Sequence, residues 1–431
     1  MKNLILIFFL YDDCPMSQNK TPQSNSLNKK TVAVFFGGRS PEHDVSVITA
    51  LQVLQAIDTS AFNTLPVYVA PNGAWYIGDA LRERKNYLFK GKDLDSLTEV
   101  TLDVQGARGG KLIPKMQPFF GVAKEVEFDV ALPAFHGLYG EDGNIQGAFE
   151  LANIPYVGMR TKASAILMDK VTTKYFLDAL DIPALPFAVL RRPKQGYLIP
   201  EEELEELLKP LGFPCILKPS HLGSSIGVAK VDNVEDAKAC LPTIFEFDDV
   251  AIAEPFVENL IEYNVSVMRD GNDEIITSAI ERPKATDELL DFKQKYMSGA
   301  DSKTGTKTEG VKTSAAVSEG MLSLTREINP DLPAQMDSDI RNWAIRMFGA
   351  IDGTGAPRID FIGNAKTQEL WMNEVNPFPG SLGYFLWEGR KEAPVLFTDL
   401  LTTLIEEAIS QNIARILPHD PVPADARLLK R

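Results

Sequence analysis

The stretch Arg358-Ile359-Asp360-Phe361-Ile362-Gly363-Asn364-Ala365-Lys366-Thr367-Gln368-Glu369-Leu370-Trp371-Met372-Asn373-Glu374-Val375-Asn376-Pro377 reads as two β-strands around a turn. Polar and apolar residues alternate on both flanks, and Gly363 to Lys366 supply turn formers between them. Period two puts Glu374 and Asn376 on one face, and folding about Lys366 brings Asp360 opposite Glu374. Opposed carboxylates repel. A polar outer face of an edge hairpin is one reading, and a carboxylate pair held together by a cation is the other. Repulsion favours the cation, and donors that are all oxygen select magnesium or manganese.

Upstream, Ile216-Leu217-Lys218-Pro219-Ser220-His221-Leu222-Gly223-Ser224-Ser225-Ile226-Gly227-Val228 places a lysine on a strand before a small-residue turn and a second strand. This is either an ordinary hairpin or a flap that folds over phosphates. It is not a P-loop, because G-x-x-x-x-G-K-[ST] is absent and no helix follows. Neighbouring β-like runs at Val250 to Phe256 and Tyr263 to Met268 point to hairpins, and so to an α+β arrangement in the second half of the chain. Met297 to Ser318, rich in Gly, Ser, Thr and Lys without apolar period, reads as a long loop.

The first half has a different texture. Thr31 to Phe36 is a strand ending in Gly37-Gly38, Val45 to Ile57 is helical, and Leu65 to Val69 and Val130 to Phe135 are strands, which gives an α/β unit. Its last strand runs into His136-Gly137-Leu138-Tyr139-Gly140-Glu141-Asp142-Gly143, where His136 either positions a substrate or caps the turn. Thr161 to Leu180 reads as helical, and so does Glu201 to Leu208.

Composition narrows the function classes. With 431 residues, 44% hydrophobic and 24% charged, the chain has the balance of a globular protein of two or three units. A formal charge of −15 repels a nucleic-acid backbone. Three cysteines without a C-x-x-C pair suggest neither a disulfide scaffold nor zinc. The apolar run Leu4 to Leu10 falls well short of the ~20 residues of a membrane span, so a cytoplasmic protein with no membrane partner is expected.

Taken in order, these motifs resemble the D-alanine:D-alanine ligase family of the ATP-grasp superfamily, from Val32 to about Leu404. Gly37-Gly38-Arg39-Ser40-Pro41-Glu42-His43-Asp44-Val45-Ser46 is similar to the family's N-terminal motif, and the resemblance implies that Glu42 holds the ammonium of the first D-alanine. It implies that Lys170 and Lys218 contact ATP, that Ser224 and Ser225 belong to the phosphate flap, and that Ser224 bonds Glu42 and Tyr296. Glu254 would read the adenine amino group and Glu262 the ribose, while Lys295 and Tyr296 would lie on a closing loop. Asp360, Glu374 and Asn376 match the metal ligands, two ions being implied, with Arg358 and the Gly380 amide stabilising the transition state. His136 and Ser381 are candidate substrate contacts. The segment Ser381-Leu382-Gly383-Tyr384-Phe385 departs from the serine-rich sequence that receives the second substrate in the family.

The fold this implies is α/β and α+β, an ATP-grasp fold behind an N-terminal α/β domain. The expected division is a disordered leader at 1–30, an N-terminal substrate domain at 31–155, a central subdomain at 156–245, a C-terminal subdomain at 246–410 and a tail at 411–431. The implied activity joins two D-alanines with ATP through an acyl phosphate, in a homodimer serving peptidoglycan precursors. The competing readings are a ligase with another second substrate, such as D-lactate, and a nucleotide-binding protein without catalysis.

Overall fold

The computed structural model describes residues 29–87, 97–105, 109–116, 124–196, 198–223, 226–284, 326–415 and 426–427. Ser224, Ser225, Lys295, Tyr296 and the long segment Met297 to Ser318 lie outside the described residues.

β1 (Lys30–Gly37) is the spine of the first sheet, and its run Val32 to Phe36 is wholly buried. A continuous apolar run is what a strand needs when both faces are covered. It pairs in parallel with β2 (Phe62–Val69) and β7 (Val130–Pro133). α1 (His43–Ala56) and the C-terminal helix cover one face through Val47, Leu51, Leu54, Leu401 and Leu404. The other face centres on Phe35, whose ring meets those of Trp75, Phe128 and Phe149 at 5.6, 5.6 and 5.1 Å.

This sheet is longer than the sequence suggests. Beyond β2 it continues antiparallel through β3 (Trp75–Ile77), β4 (Thr98–Leu102), β5 (Gly110–Pro114) and β6 (Val126–Phe128). These strands are too short, at three to five residues, for period two to stand out locally. α2 (Asn144–Leu151) completes the unit.

The helical stretch from Thr161 is two helices, α3 (Thr161–Met168) and α4 (Lys170–Ala179), broken at Asp169. Asp169 takes extended backbone geometry and its carboxylate accepts from the Val171 amide at 3.0 Å, a side-chain cap that starts a new helix with Lys170 at its first turn. The second sheet is antiparallel in the order β10 (Ala229–Val231), β9 (Cys215–Pro219), β11 (Val250–Pro255), β8 (Ala188–Arg191). α5 (Glu201–Leu208) and α6 (Val234–Phe247) cover it with Leu204, Leu208, Leu241 and Phe245. Because β11 bonds to β8 and β9, the change to the third sheet falls between Pro255 and Leu260.

The third sheet runs β14 (Arg326–Ile328), β13 (Ile275–Pro283), β12 (Leu260–Arg269), β15 (Arg358–Asn364), β16 (Leu370–Asn376), and every neighbouring pair is antiparallel. α7 (Ala334–Ala350) lays Ile340, Ala344 and Met347 against Val265, Val267, Ile359 and Phe361 on one face. Strand alternation therefore turns Arg358, Asp360, Asn264 and Ser266 to the opposite face. α8 (Tyr384–Glu388) sits on that second face, with the Trp387 indole donating to Ser266 Oγ at 3.1 Å.

α9 (Phe397–Ala414) ties the first and third sheets together. Its Glu407 accepts the Gly355 amide at 2.8 Å, and burial pushes the carboxyl up to about 7. An acid raised in the folded state holds a proton that the unfolded chain has released, so the stability it contributes is lost as pH rises from about 4.5 through about 7. Glu407→Gln should flatten that decline relative to wild type. Urea midpoints measured across this range check it, and parallel slopes would reject it.

Candidate active site

Segments from all three sheet regions meet in a cleft lined by Glu42, Glu141, Lys170, Gly223, Glu374 and Asn376. From the third sheet, Asp360 pairs with Glu374, as the hairpin reading expects, and Arg358 pairs with Asn376. A register irregularity follows Asp360, with Phe361 opposite Met372, so Asn373 is an extra residue. Such a bulge re-aims side chains. Asn373 Oδ1 accepts from Lys218 Nζ at 3.2 Å and Glu374 Oε2 lies 3.3 Å from Lys170 Nζ, so adjacent residues both serve the cleft. Strict alternation in the sequence could not place Asn373 there.

The like charges are answered by cations. Arg358 grips Asp360 with Nε to Oδ1 at 2.6 Å and Nη2 to Oδ2 at 2.7 Å, and Asn376 Nδ2 donates to Oδ2 at 2.9 Å. Burial raises the Asp360 pKa against the pull of Arg358. For Glu374 burial also pushes upward, but the Lys170 and Lys218 ammoniums outweigh it and hold the group below the usual carboxylate range. Two opposed acids and an amide oxygen form a donor set that fits a hard divalent cation. For Asn376 to bind one through oxygen, its amide must turn away from Asp360.

The second sheet supplies a buried ion triad. Lys218 on β9 and Lys174 on α4 place their ammoniums 2.6 and 2.5 Å from the two oxygens of Glu254, which is 3% exposed. Lys174 also donates to the Leu185 carbonyl at 3.2 Å. Burial pulls the Lys174 pKa down, whereas Glu254 stays low because two ammoniums override its own burial. The sequence resemblance sets Glu254 on the adenine amino group. In the structure both of its oxygens are engaged by lysines. Glu262 stands exposed on β12 opposite Ile362, on the strand that also carries Asn264.

At the end of β9, the Ser220 carbonyl accepts from the Lys170 amide at 3.1 Å, and the Leu222 carbonyl takes its ammonium at 2.7 Å. His221 is fastened to Asp248 by its own amide at 2.7 Å and by Nδ1 at 2.9 Å, the hydrogen bond to Asp248 raising its pKa. Ser220 Oγ donates to Asp169 at 2.6 Å, so one network fixes both the α4 cap and the loop beside Lys170. No local sequence pattern marks this network, because it is assembled from separate stretches around Asp169, Ser220 and Asp248.

From the first sheet, Glu42 occupies the N-cap position of α1 and is 7% exposed. Its carboxylate lies between two glycines. A Cβ at Gly137 (φ +73°) would stand 2.5 Å from Oε2, and one at Gly223 would stand 3.3 Å from Oε1. Only a residue without a side chain permits the first approach. Glu141, unremarked among the candidate residues, accepts the Gly137 amide at 2.6 Å and the Phe378 amide at 3.0 Å. Burial and the nearby Glu42 charge push it up to about 8, despite those two bonds. It thus links the first sheet to the segment that follows Asn376.

His136 is buried, bonded through Nε2 to Thr49 Oγ1 at 2.8 Å, and its pKa is driven down to about 4 by burial. Its ring is thus bonded to Thr49 of α1 and to the Phe378 backbone. Ser381 hands its hydroxyl to Gln52 Oε1 and its amide to Thr49 Oγ1 at 3.2 Å. Ser381, Leu382 and Gly383 form a left-handed turn, with φ 51°, 55° and 57°, directly after Gly380. Non-glycine residues enter this region at a cost of about 1–2 kcal/mol each, and such strain concentrates at functional sites.

The family model described as D-ala D-ala ligase N-terminus matches residues 31–159, and that described as D-ala D-ala ligase C-terminus matches 176–406. The chain belongs to the D-alanine:D-alanine ligase family. A D-alanine--D-alanine ligase of Thermosipho africanus is 34% identical over 361 residues, 83% of this chain and 88% of that one. One from Enterococcus faecalis is 31% identical, over 88% of this chain and 99% of the relative. The solved D-alanine-D-alanine ligase of Coxiella burnetii shares the fold, with a TM-score of 0.68 at 24% identity over 90% of this chain and 96% of that one. A D-Ala:D-Ser ligase from Enterococcus faecalis has a TM-score of 0.66 at 25% identity over 88% and 100%. The ATP-grasp fold follows from these neighbours together with the mixed sheets, and no described helix is long and apolar enough to cross a membrane.

Proposed function

We propose that this family member joins two D-alanine molecules to D-alanyl-D-alanine with conversion of ATP to ADP and phosphate. The observation that carries the reading is the convergence of Glu42, Lys170, Glu374 and Asn376 on one cleft, with Asp360 paired to Glu374 beside it. Lys170 and Lys218 bind the phosphates, Glu262 the ribose, and Glu42 the ammonium of the first D-alanine. Asp360, Glu374 and Asn376 would hold two magnesium or manganese ions, which when bound offset charge on the transferring phosphoryl group.

The first D-alanine carboxylate takes the γ-phosphoryl group, and the amine of the second attacks the resulting acyl phosphate and displaces phosphate. Arg358, held by Asp360, and the Gly380 amide stabilise the oxyanion formed in that attack, a preorganised effect of roughly a few kcal/mol per donor. Ser224 and Ser225 over the phosphates and Lys295 and Tyr296 on the closing loop complete the assignment. They would exclude water from the acyl phosphate. Glu254 acts on adenine only after releasing a lysine, or else serves by fixing Lys218 and Lys174. The same reading makes the protein a cytoplasmic homodimer that serves peptidoglycan precursor synthesis.

Incubation of purified protein with D-alanine, ATP and magnesium should release phosphate in proportion to dipeptide. Release only with D-lactate or another amino acid beside D-alanine would reassign the second substrate. ATP binding without turnover on any of them would leave a non-catalytic protein.

A further inference from the structure

On the active face of the third sheet a polar row continues past the acids. Glu374, Asp360, Asn264 and Glu281 are successive cross-strand partners on β16, β15, β12 and β13. Glu281 Oε2 accepts from Asn264 Nδ2 at 3.1 Å, and Glu281 Oε1 lies 3.2 Å from Arg326 Nη1. The Arg326 guanidinium also lies over the Phe385 ring of α8, 4.1 Å from its centroid. Its Nε is buried without a hydrogen-bond partner among the described residues, while the side chain as a whole remains 24% exposed. A planar cation stacked on an aromatic ring keeps its edge donors aimed in a fixed direction.

The ligation needs such a group. The second amino acid forms the new C–N bond with its amine, loses a proton from it, and displaces phosphate, which leaves with the C–O electron pair. Its own carboxylate passes unchanged into the product, so it must be met by positive charge away from the phosphates. Lys170 and Lys218 stand beside Glu374 and Glu254 on the phosphate side, and Arg358 is forked onto Asp360. Glu281 is two strands from Asp360, roughly 10 Å at the usual strand spacing, which is a fitting reach for a phosphoryl group, the acyl carbon and one amino acid in line.

We infer that Arg326, steadied by Phe385 and Glu281, receives the carboxylate of the second substrate and so selects an acceptor that carries one. The inference rests on the ligase reading above. Its test is a competition between D-alanine and D-alaninamide as acceptors, read as the ratio of dipeptide to dipeptide amide. D-alaninamide has no carboxylate to phosphorylate and can enter only as the second substrate.

Wild type should favour the dipeptide, and Arg326→Gln should lower the ratio by about tenfold or more, in keeping with the loss of a charge-assisted hydrogen bond. The KM for the second D-alanine should rise while that for ATP stays put. Arg326→Lys, which keeps the charge without the fork, should fall between. A product ratio in Arg326→Gln equal to wild type, even with reduced overall activity, would mean that the arginine only holds α8 and would overturn the inference. Should Arg326→Gln not fold, an unchanged ratio in Arg326→Lys overturns it and a lowered ratio supports it. Wild-type protein without D-alanine-dependent phosphate release would instead strike the ligase reading itself.

Discussion

Glu374→Gln is expected to lower kcat/KM by about 10³-fold or more, the several kcal/mol that metal-assisted charge stabilisation supplies, while the protein stays folded. The glutamine is isosteric and can still accept from Lys170, so the change removes charge rather than shape. In the wild-type cleft Glu374 faces Asp360 across the β15–β16 hairpin and Lys170 at 3.3 Å. With one negative charge gone, the opposed pair can no longer hold a divalent cation tightly, and the magnesium concentration needed for half-maximal activity should rise in parallel. Near-normal turnover in the variant, with unchanged magnesium dependence, would remove the proposed metal site. A cooperative unfolding curve close to wild type is the control that separates chemistry from collapse.

The second large effect concerns stability. Glu254→Ala should cost about 3–5 kcal/mol in urea unfolding, because removing one member of a buried ionic set leaves uncompensated charge. Lys174 is 2% exposed and Lys218 9%, and both ammoniums rest on Glu254. The sign of the pH dependence follows. Burial already depresses the Lys174 pKa, and without Glu254 it falls further, so the variant's deficit should narrow as pH rises and the buried amine goes neutral. ATP affinity should drop as well, since Lys218 loses the group that orients it. A variant as stable as wild type at neutral pH would show that the triad has water access and contributes little.

Both variants probe positions legible in the sequence, but the sequence revealed them unequally. That Asp360 and Glu374 share the hairpin was legible from alternation and one turn, and the third sheet pairs them, but the one-residue bulge at Asn373 that sets this register carries no local signal. The strand of β1, the helix α1 and the helix α5 were readable for the same reason, since each repeats its own pattern over enough residues to be seen. The short strands β3 to β6 and the break at Asp169 were not. Strands of three to five residues carry too little period to stand out, and a cap inside a helical pattern shows only once the backbone has turned.

The site divides along the same line. Motif residues such as Glu42, His136, Lys218 and Arg358 could be named from sequence, because each lies in a short run that carries the family resemblance. Their partners could not. Glu254 resembles an adenine reader in sequence, and the structure sets both of its oxygens on lysines from two different elements. Ser381 is a substrate candidate by position, yet its hydroxyl is given to Gln52 of α1. Glu141 and Arg326 acquire meaning only where distant strands deliver them, beside Phe378 and beneath α8 respectively.

What the amino-acid order determined by itself was local: which runs alternate, where turns fall, and which acids face one another across a hairpin. What the tertiary structure decided was the charge balance of the cleft. Hydrogen bonds and ion pairs act over about 3 Å, and burial governs how strongly each charge is felt. Neither quantity exists until the three sheets have come together.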